Sequence, residues 1–159
     1  MSPARRRRVS SGGPFEDAVG YSRAVAAGDF IFVSGCTSVA DGKIVHEGDM
    51  AKQTEQALLN VSAALEQLGA SLADVVRTRI YVTDISRWNE VGEAHRLAFE
   101  DVAPAATMVQ VAALIDPRLL VEIEVEAHRE FSPDGDESEL DETRPDMIRI
   151  DEPSADDSI

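Results

Sequence analysis

The chain has 159 residues, 43% of them hydrophobic, enough for one ordinary core and too few for two full domains. Thirty acidic residues against fifteen basic leave a net charge of -15, which repels phosphate backbones and argues against nucleic acid as a ligand. No run of about 18 apolar residues is present to predict a membrane span, and the N-terminus lacks the apolar stretch of a secretory signal, so a cytoplasmic protein is expected.

Only Lys43 and Lys52 are lysines, and an acidic, lysine-poor surface stays soluble where salt screens its self-repulsion, as in a halophilic cytoplasm. Cys36 is the one cysteine, so no internal disulfide or cysteine-rich zinc site can form. Residues 1–13, with Arg5 to Arg8 beside Ser10, Ser11, Gly12 and Gly13, read as a disordered basic arm. Residues 131–159 read as an acidic, mostly disordered tail: from position 130 onward there are 12 acidic and 2 basic residues. Both ends are expected to be dispensable, leaving a folded domain over 14–130.

Within that domain the hydrophobic period switches repeatedly. Tyr21 to Val25 and Phe30 to Val33 flank Ala26-Ala27-Gly28-Asp29 and predict a hairpin, and a short strand at Lys43 to Val45 follows the Asp41-Gly42 turn. Asp49 can cap a helix whose apolar positions Met50, Thr54, Ala57, Leu58, Val61, Ala64, Leu65 and Leu68 recur at helical spacing until Gly69. Val75 to Val82 is rich in β-branched residues and predicts a strand. A second helix capped by Asp84 or Ser86 carries Trp88, Val91, His95 and Ala98 on one face and stops before Pro104. Met108 to Leu114 and Leu119 to Glu130 are the last two strands, joined through Asp116-Pro117. The order of elements predicts an α/β (α+β) fold, a mixed sheet of about six strands with both helices on one face.

The last strand is the most unusual. Val121, Ile123, Val125 and Ala127 alternate with Glu122, Glu124, Glu126 and His128, so one face is apolar and the other acidic. Burial that raised the Glu122 pKa would make it a base for activating water, whereas an exposed or arginine-paired carboxylate would be structural. Glu124 and Glu126 suit a structural, paired role. Neighbours at i and i+2 on one strand are about 7 Å apart, too far to close a metal site unaided. Tyr21 is either a ligand-facing hydroxyl or a half-buried strand aromatic. Ser34 lacks the partners of a nucleophilic triad and, with Gly35, suits backbone-amide binding of an anion. Cys36 reads as a buried thiol rather than a nucleophile, His95 as a satisfied core residue and Trp88 as packing.

Five segments together resemble the Rid (YjgF) family of small trimeric proteins. They are Gly20-Tyr21-Ser22-Arg23-Ala24-Val25, Phe32-Val33-Ser34-Gly35, Gln53-Thr54 through Asn60, Asp74 to Thr78, and Pro104-Ala105-Ala106-Thr107 followed by Val121-Glu122-Ile123-Glu124. The resemblance covers about residues 18 to 130 and implies a chorismate-mutase-like (YjgF-type) fold, a homotrimer and small-metabolite clefts between subunits. It further implies hydrolysis of reactive imines or enamines, with no metal or cofactor. On that pattern Glu122 positions the attacking water, and Tyr21, Ser34, Gly35, Cys36, Ala106 and Thr107 line the cleft. Two departures stand out: Cys36 replaces a glutamine, and Ala106 replaces the arginine that clamps a substrate carboxylate. The resemblance therefore implies an altered substrate, with Arg23 or Arg79 as alternative cations. A non-catalytic metabolite-binding trimer is the second reading, and RNA binding or ribonuclease activity the third, opposed by the net charge.

Overall fold

The computed structural model describes residues 6–130. Eight strands and three α-helices follow one another as β1 (Arg6–Val9), α1 (Pro14–Val19), β2 (Ala24–Ala27), β3 (Phe30–Cys36), β4 (Val39–Ala40), β5 (Lys43–Ile44), α2 (Met50–Glu66), β6 (Val75–Val82), α3 (Trp88–Ala98), β7 (Ala105–Gln110) and β8 (Val121–His128). Short 3-10 turns at Leu72–Asp74 and Ile85–Arg87 lead into β6 and α3. Six strands form one sheet in the order β1-β2-β3-β8-β6-β7, in which only β6 and β7 run parallel, while β4 and β5 make a separate ribbon. This is the mixed six-stranded sheet that the sequence predicts.

The core lies between one sheet face and the helices. Helix α2 buries Met50, Thr54, Ala57, Leu58, Val61, Ala64 and Leu65 against Ile31, Val33, Ile80, Val82, Val121, Ile123 and Val125. Its start is fixed by Asp49, whose carboxylate accepts from the Lys52 amide. At its end Gly69 takes a φ of +77°, and the amides of Gly69 and Ala70 return to the carbonyls of Glu66 and Leu65. Two polar residues of α2 fasten remote chain to it. Fully buried Gln53 donates to the carbonyls of His46 and Arg118 and accepts from the Leu120 amide, and Asn60 donates to the carbonyls of Thr37 and Val39. The resemblance motif in this helix is thus explained by architecture rather than by chemistry. His95 hydrogen-bonds Thr78 at 2.9 Å and packs on Phe99, satisfying both polar groups within the core.

Several boundaries differ from expectation. Tyr21 and Ser22 precede β2, because the Tyr21 amide is used in closing α1 against the Glu16 carbonyl. Strand β7 begins at Ala105 rather than Met108 and ends at Gln110, its extent being set by parallel pairing from Arg77↔Ala105 to Val82↔Gln110. Trp88 is 60% exposed, not packed.

The largest correction concerns the basic arm. Residues Arg6–Val9 form an edge strand registered residue for residue on Ala27 to Ala24, and Arg7 donates to the Leu68 carbonyl. Composition misleads here because the ladder uses backbone groups, to which the arginine side chains are indifferent. Beyond it, the hydroxyls of Ser10 and Ser11 and the Ser11 amide all donate to Glu16, a carboxylate only 4% exposed. The expectations for residues 1–5 and 131–159 lie outside the described residues. Deleting residues 2–13 should consequently destabilise the fold by about 2 kcal/mol, the scale of losing charge-assisted partners of a buried group. Urea unfolding of the truncated and full-length chains checks this, and superimposable curves would refute it.

Candidate functional site

The face of the sheet turned away from the helices is polar along β8. Glu122, Glu124 and Glu126 are each half-buried there, because the strand alternates and its odd-numbered residues lie under α2. Register places Tyr81 opposite Glu122, Arg79 opposite Glu124 and Arg77 opposite Glu126. Arg79 donates to Glu124 at 3.2 Å and to Glu126 at 2.7 Å, Tyr81 donates to Glu124 at 3.2 Å, and Arg77 lies 3.7 Å from Glu126. Two of the three carboxylates are therefore neutralised within the chain, which leaves their oxygens committed to arginine rather than to a metal.

Glu122 differs from its neighbours. Among the described residues no hydrogen bond or ion pair holds its carboxylate. Burial pushes its pKa above the ordinary glutamate value of 4.5, an effect that Arg23 opposes and Glu124 reinforces. A half-buried carboxylate so poised can take a proton from water near neutral pH more readily than an exposed one.

What Glu122 rests against is a β-bulge. Val33 pairs with Val125 and Cys36 with Ile123, so β3 spends three steps where β8 spends two, and Ser34 and Gly35 stand out of the ladder. A Cβ on Gly35 would lie 1.9 Å from Glu122 Oε1 and 2.8 Å from its carboxyl carbon, so only glycine lets the carboxylate lie across the bulge. The bulge carbonyls are bound by Arg23, whose Nη1 donates to Gly35 at 2.6 Å and to Ser34 at 3.3 Å. The same guanidinium donates from Nη2 to Tyr21 Oη at 3.1 Å, lies 3.6 Å from Cys36 Sγ, and is backed by Glu16 at 3.7 Å.

The structure thus brings together Tyr21, Ser34, Gly35, Cys36 and Glu122, and it adds Arg23 and Glu16. Ser34 is less available than the sequence implies: its hydroxyl donates to the Ser22 carbonyl and its amide to the Arg23 carbonyl. Cys36 is buried, and burial pushes its thiol up despite the adjacent Arg23. Ala106 and Thr107 are not part of this cluster. They lie on β7, separated from β8 by β6, roughly 10 Å sideways by the usual strand spacing. Ala106 also pairs with Thr78 on the helix-side face. Glu16 is the residue that sequence reasoning missed. Its only sequence signal is an acidic residue shortly after a Ser-Ser-Gly-Gly-Pro stretch, which resembles any solvated turn.

The contact between Gly35 and Glu122 generates a sharp expectation. Gly35→Ala should destabilise the fold by about 1–3 kcal/mol, as overpacking does, and displace the carboxylate. Glu122→Ala in the same chain should restore most of that loss by vacating the space. Thermal unfolding of the two singles and the double measures the coupling, and additive effects would contradict the steric account.

The chain is similar to known proteins over most of its described length. The family described as Endoribonuclease L-PSP matches residues 14–129. An uncharacterized protein of Streptomyces coelicolor, SCO2049, is 40% identical over 129 residues, covering 81% of this chain and 96% of that one. The human 2-iminobutanoate/2-iminopropanoate deaminase is 35% identical over 111 residues, covering 68% of this chain and 80% of its own. Among solved structures, Rv2704 of Mycobacterium tuberculosis, described as a member of the YjgF/YER057c/UK114 family, is 56% identical with a TM-score of 0.72, covering 78% of this chain and 99% of that one. By family model, sequence identity and structural likeness alike, the chain belongs to the YjgF (Rid) family.

Proposed function

We propose that the protein is a hydrolase of small reactive imines or enamines, with a substrate preference altered by Ala106. The observation that carries this reading is Glu122, a half-buried carboxylate of raised pKa lying across a glycine bulge whose carbonyls are held by Arg23, the residue that also contacts the Tyr21 hydroxyl. In the reaction Glu122 takes a proton from water as the water oxygen bonds to the imine carbon and the C=N π electrons move to nitrogen. That proton passes to nitrogen to give the neutral carbinolamine. Glu122 then takes the hydroxyl proton and returns it to nitrogen as the C=O bond forms and the C–N bond breaks, so that a carbonyl compound and ammonia leave. No oxidant, metal or cofactor is needed for this balance. Tyr21 orients an oxygen of the substrate.

The cleft is shared between copies in a homotrimer on this reading. Supporting it, Ala106 and Thr107 lie far from Glu122 within one chain, and the open sheet face exposes Phe30, Phe32 and Val109 beside the paired charges. Light scattering in molar salt should give a mass near three times 17.2 kDa. A monomer at micromolar concentration would remove the shared cleft.

One observation favours a second reading, a trimer that binds a metabolite without turning it over. A methyl group at position 106 cannot hold a carboxylate as an arginine can, and an arginine–carboxylate pair in a partly dry cleft contributes on the order of 2–3 kcal/mol. The wild type should therefore hydrolyse 2-iminopropanoate about two orders of magnitude more slowly than an arginine-bearing relative. Ala106→Arg, on an exposed edge strand with room for the side chain, should recover about tenfold or more, and Glu122→Gln in that background should abolish it. Activity should also fall as pH drops through a midpoint above 4.5, because only ionised Glu122 accepts the proton. An assay in which an amino-acid oxidase supplies the imine decides among these. Wild-type turnover equal to that of the relative refutes the role given to Ala106, and activity in the Glu122→Gln variant refutes the hydrolytic role given to Glu122.

A further inference from the structure

Arg23 makes more polar contacts in the cleft than any residue with an assigned role. Its Nη1 holds both carbonyls of the Ser34-Gly35 bulge and approaches Cys36 Sγ, and its Nε faces Glu16 at 3.7 Å. Nη2 donates to Tyr21 Oη. These contacts leave the guanidinium, only 15% exposed, engaged on every side, so it is poorly placed to clamp a ligand itself. The contact with Tyr21 nevertheless has a chemical consequence. A phenol oxygen that accepts from a guanidinium cannot also direct its own proton there, so the O–H points elsewhere.

We propose that Arg23 is a positioning residue, which fixes the Ser34-Gly35 bulge over Glu122 and, by occupying an acceptor site of Tyr21, dedicates the tyrosine proton to a ligand oxygen. Carbonyls that the bulge withdraws from the ladder need donors, and the guanidinium supplies them from Nη1 while Nη2 reaches Tyr21 and Nε faces Glu16, a span that a single ammonium could not cover. Glu16, itself held by Ser10 and Ser11, fixes the guanidinium from behind. The support thus runs from the start of the described chain to the carboxylate: Ser10 and Ser11 to Glu16, Glu16 to Arg23, and Arg23 to Tyr21 and the bulge. In a cleft without an arginine at position 106, this arrangement recognises a ligand through a neutral hydroxyl donor. That favours substrates offering a carbonyl or carboxylate oxygen as acceptor, with weaker demand for full negative charge than an arginine clamp imposes.

The part concerning the bulge stands on geometry alone, whereas the part concerning the ligand rests on the imine-hydrolase reading, so the test has two arms. Without ligand, amide exchange at Ser34 to Cys36 is compared in wild type, Arg23→Gln and Arg23→Lys, with the carboxyl of Glu122 followed by carbon NMR. Arg23→Gln should speed exchange at the bulge about tenfold while leaving β6 protected, and Arg23→Lys should not rescue it. The Glu122 midpoint should rise, because Arg23 is the opposing charge among the groups that act on it, the other being Glu124. Unchanged exchange and an unchanged midpoint would overturn the positioning role. In the second arm the probe is 2-oxobutanoate, with binding measured in wild type, Arg23→Gln, Tyr21→Phe and the double variant. Each single change should weaken binding about tenfold, and the double should be no weaker than Tyr21→Phe alone. Effects that multiply would overturn the action through Tyr21. A wild type that ignores 2-oxobutanoate while the first arm holds would sink the tyrosine-donor role and leave Arg23 as the residue that fixes the bulge, whereas the hydrolase reading falls only if the imine assay fails as well.

Discussion

The structure depends on the double demand placed on β8. It is paired on both sides, with β3 and β6, and its alternation sends Val121, Ile123, Val125 and Ala127 under α2 while three glutamates are forced onto the opposite face. Carboxylates on a central strand cannot be turned away from the sheet, and half-burial there carries a cost in lost hydration unless a polar or cationic partner is nearby. Register answers that cost for two of them by placing Arg77 and Arg79 on the adjacent strand. The remaining one, Glu122, is left opposite a tyrosine and against a bulge, and so becomes the group with chemistry to offer.

This arrangement separates two uses of acidic residues in one chain. Glu124 and Glu126 are ordinary structural ions: exposed by roughly a third, bound to Arg79, and of modest energetic weight because solvent still screens them. Glu16 is a different case. Burial alone would raise its pKa, but donors from Ser10 and Ser11 and the charge of Arg23 together hold it below the usual carboxylate range. A low-lying buried carboxylate behind a guanidinium stays charged across the physiological pH range, so the guanidinium that binds the Ser34-Gly35 bulge keeps its counter-ion there.

Much of this was legible in the sequence. The helical spacing from Met50 to Leu68 with Asp49 before it and Gly69 after it defines α2, and the strict alternation of residues 121–128 defines β8 and its two faces. The Ser34-Gly35 pair and Glu122 were visible as separate motifs. Their contact was not, because a bulge is a relation between two strands about 90 residues apart and leaves no period in either. For the same reason Arg23 reads from sequence only as an alternative cation, and Glu16 is not singled out at all. Strand β1 was illegible for a simpler cause: four arginine-rich residues at a sheet edge owe their conformation to the backbone of β2, and composition carries no record of a neighbour.

The position of β8 in the sheet also bears on how the chain acquires its shape. The strand that joins the two halves of the sheet is the last one in the described sequence, and it must insert between β3 and β6, which lie about 90 and 40 residues upstream. Until it arrives, both of those strands present open edges, the kind of surface that templates association between unfinished chains. Gln53 compounds the delay, since its amide waits for the Arg118 carbonyl and the Leu120 amide that lead into β8. During synthesis the helix layer and the outer hairpins can settle early, but the sheet closes only when residues near 128 have left the ribosome, so folding of this chain is governed by its longest-range pairing.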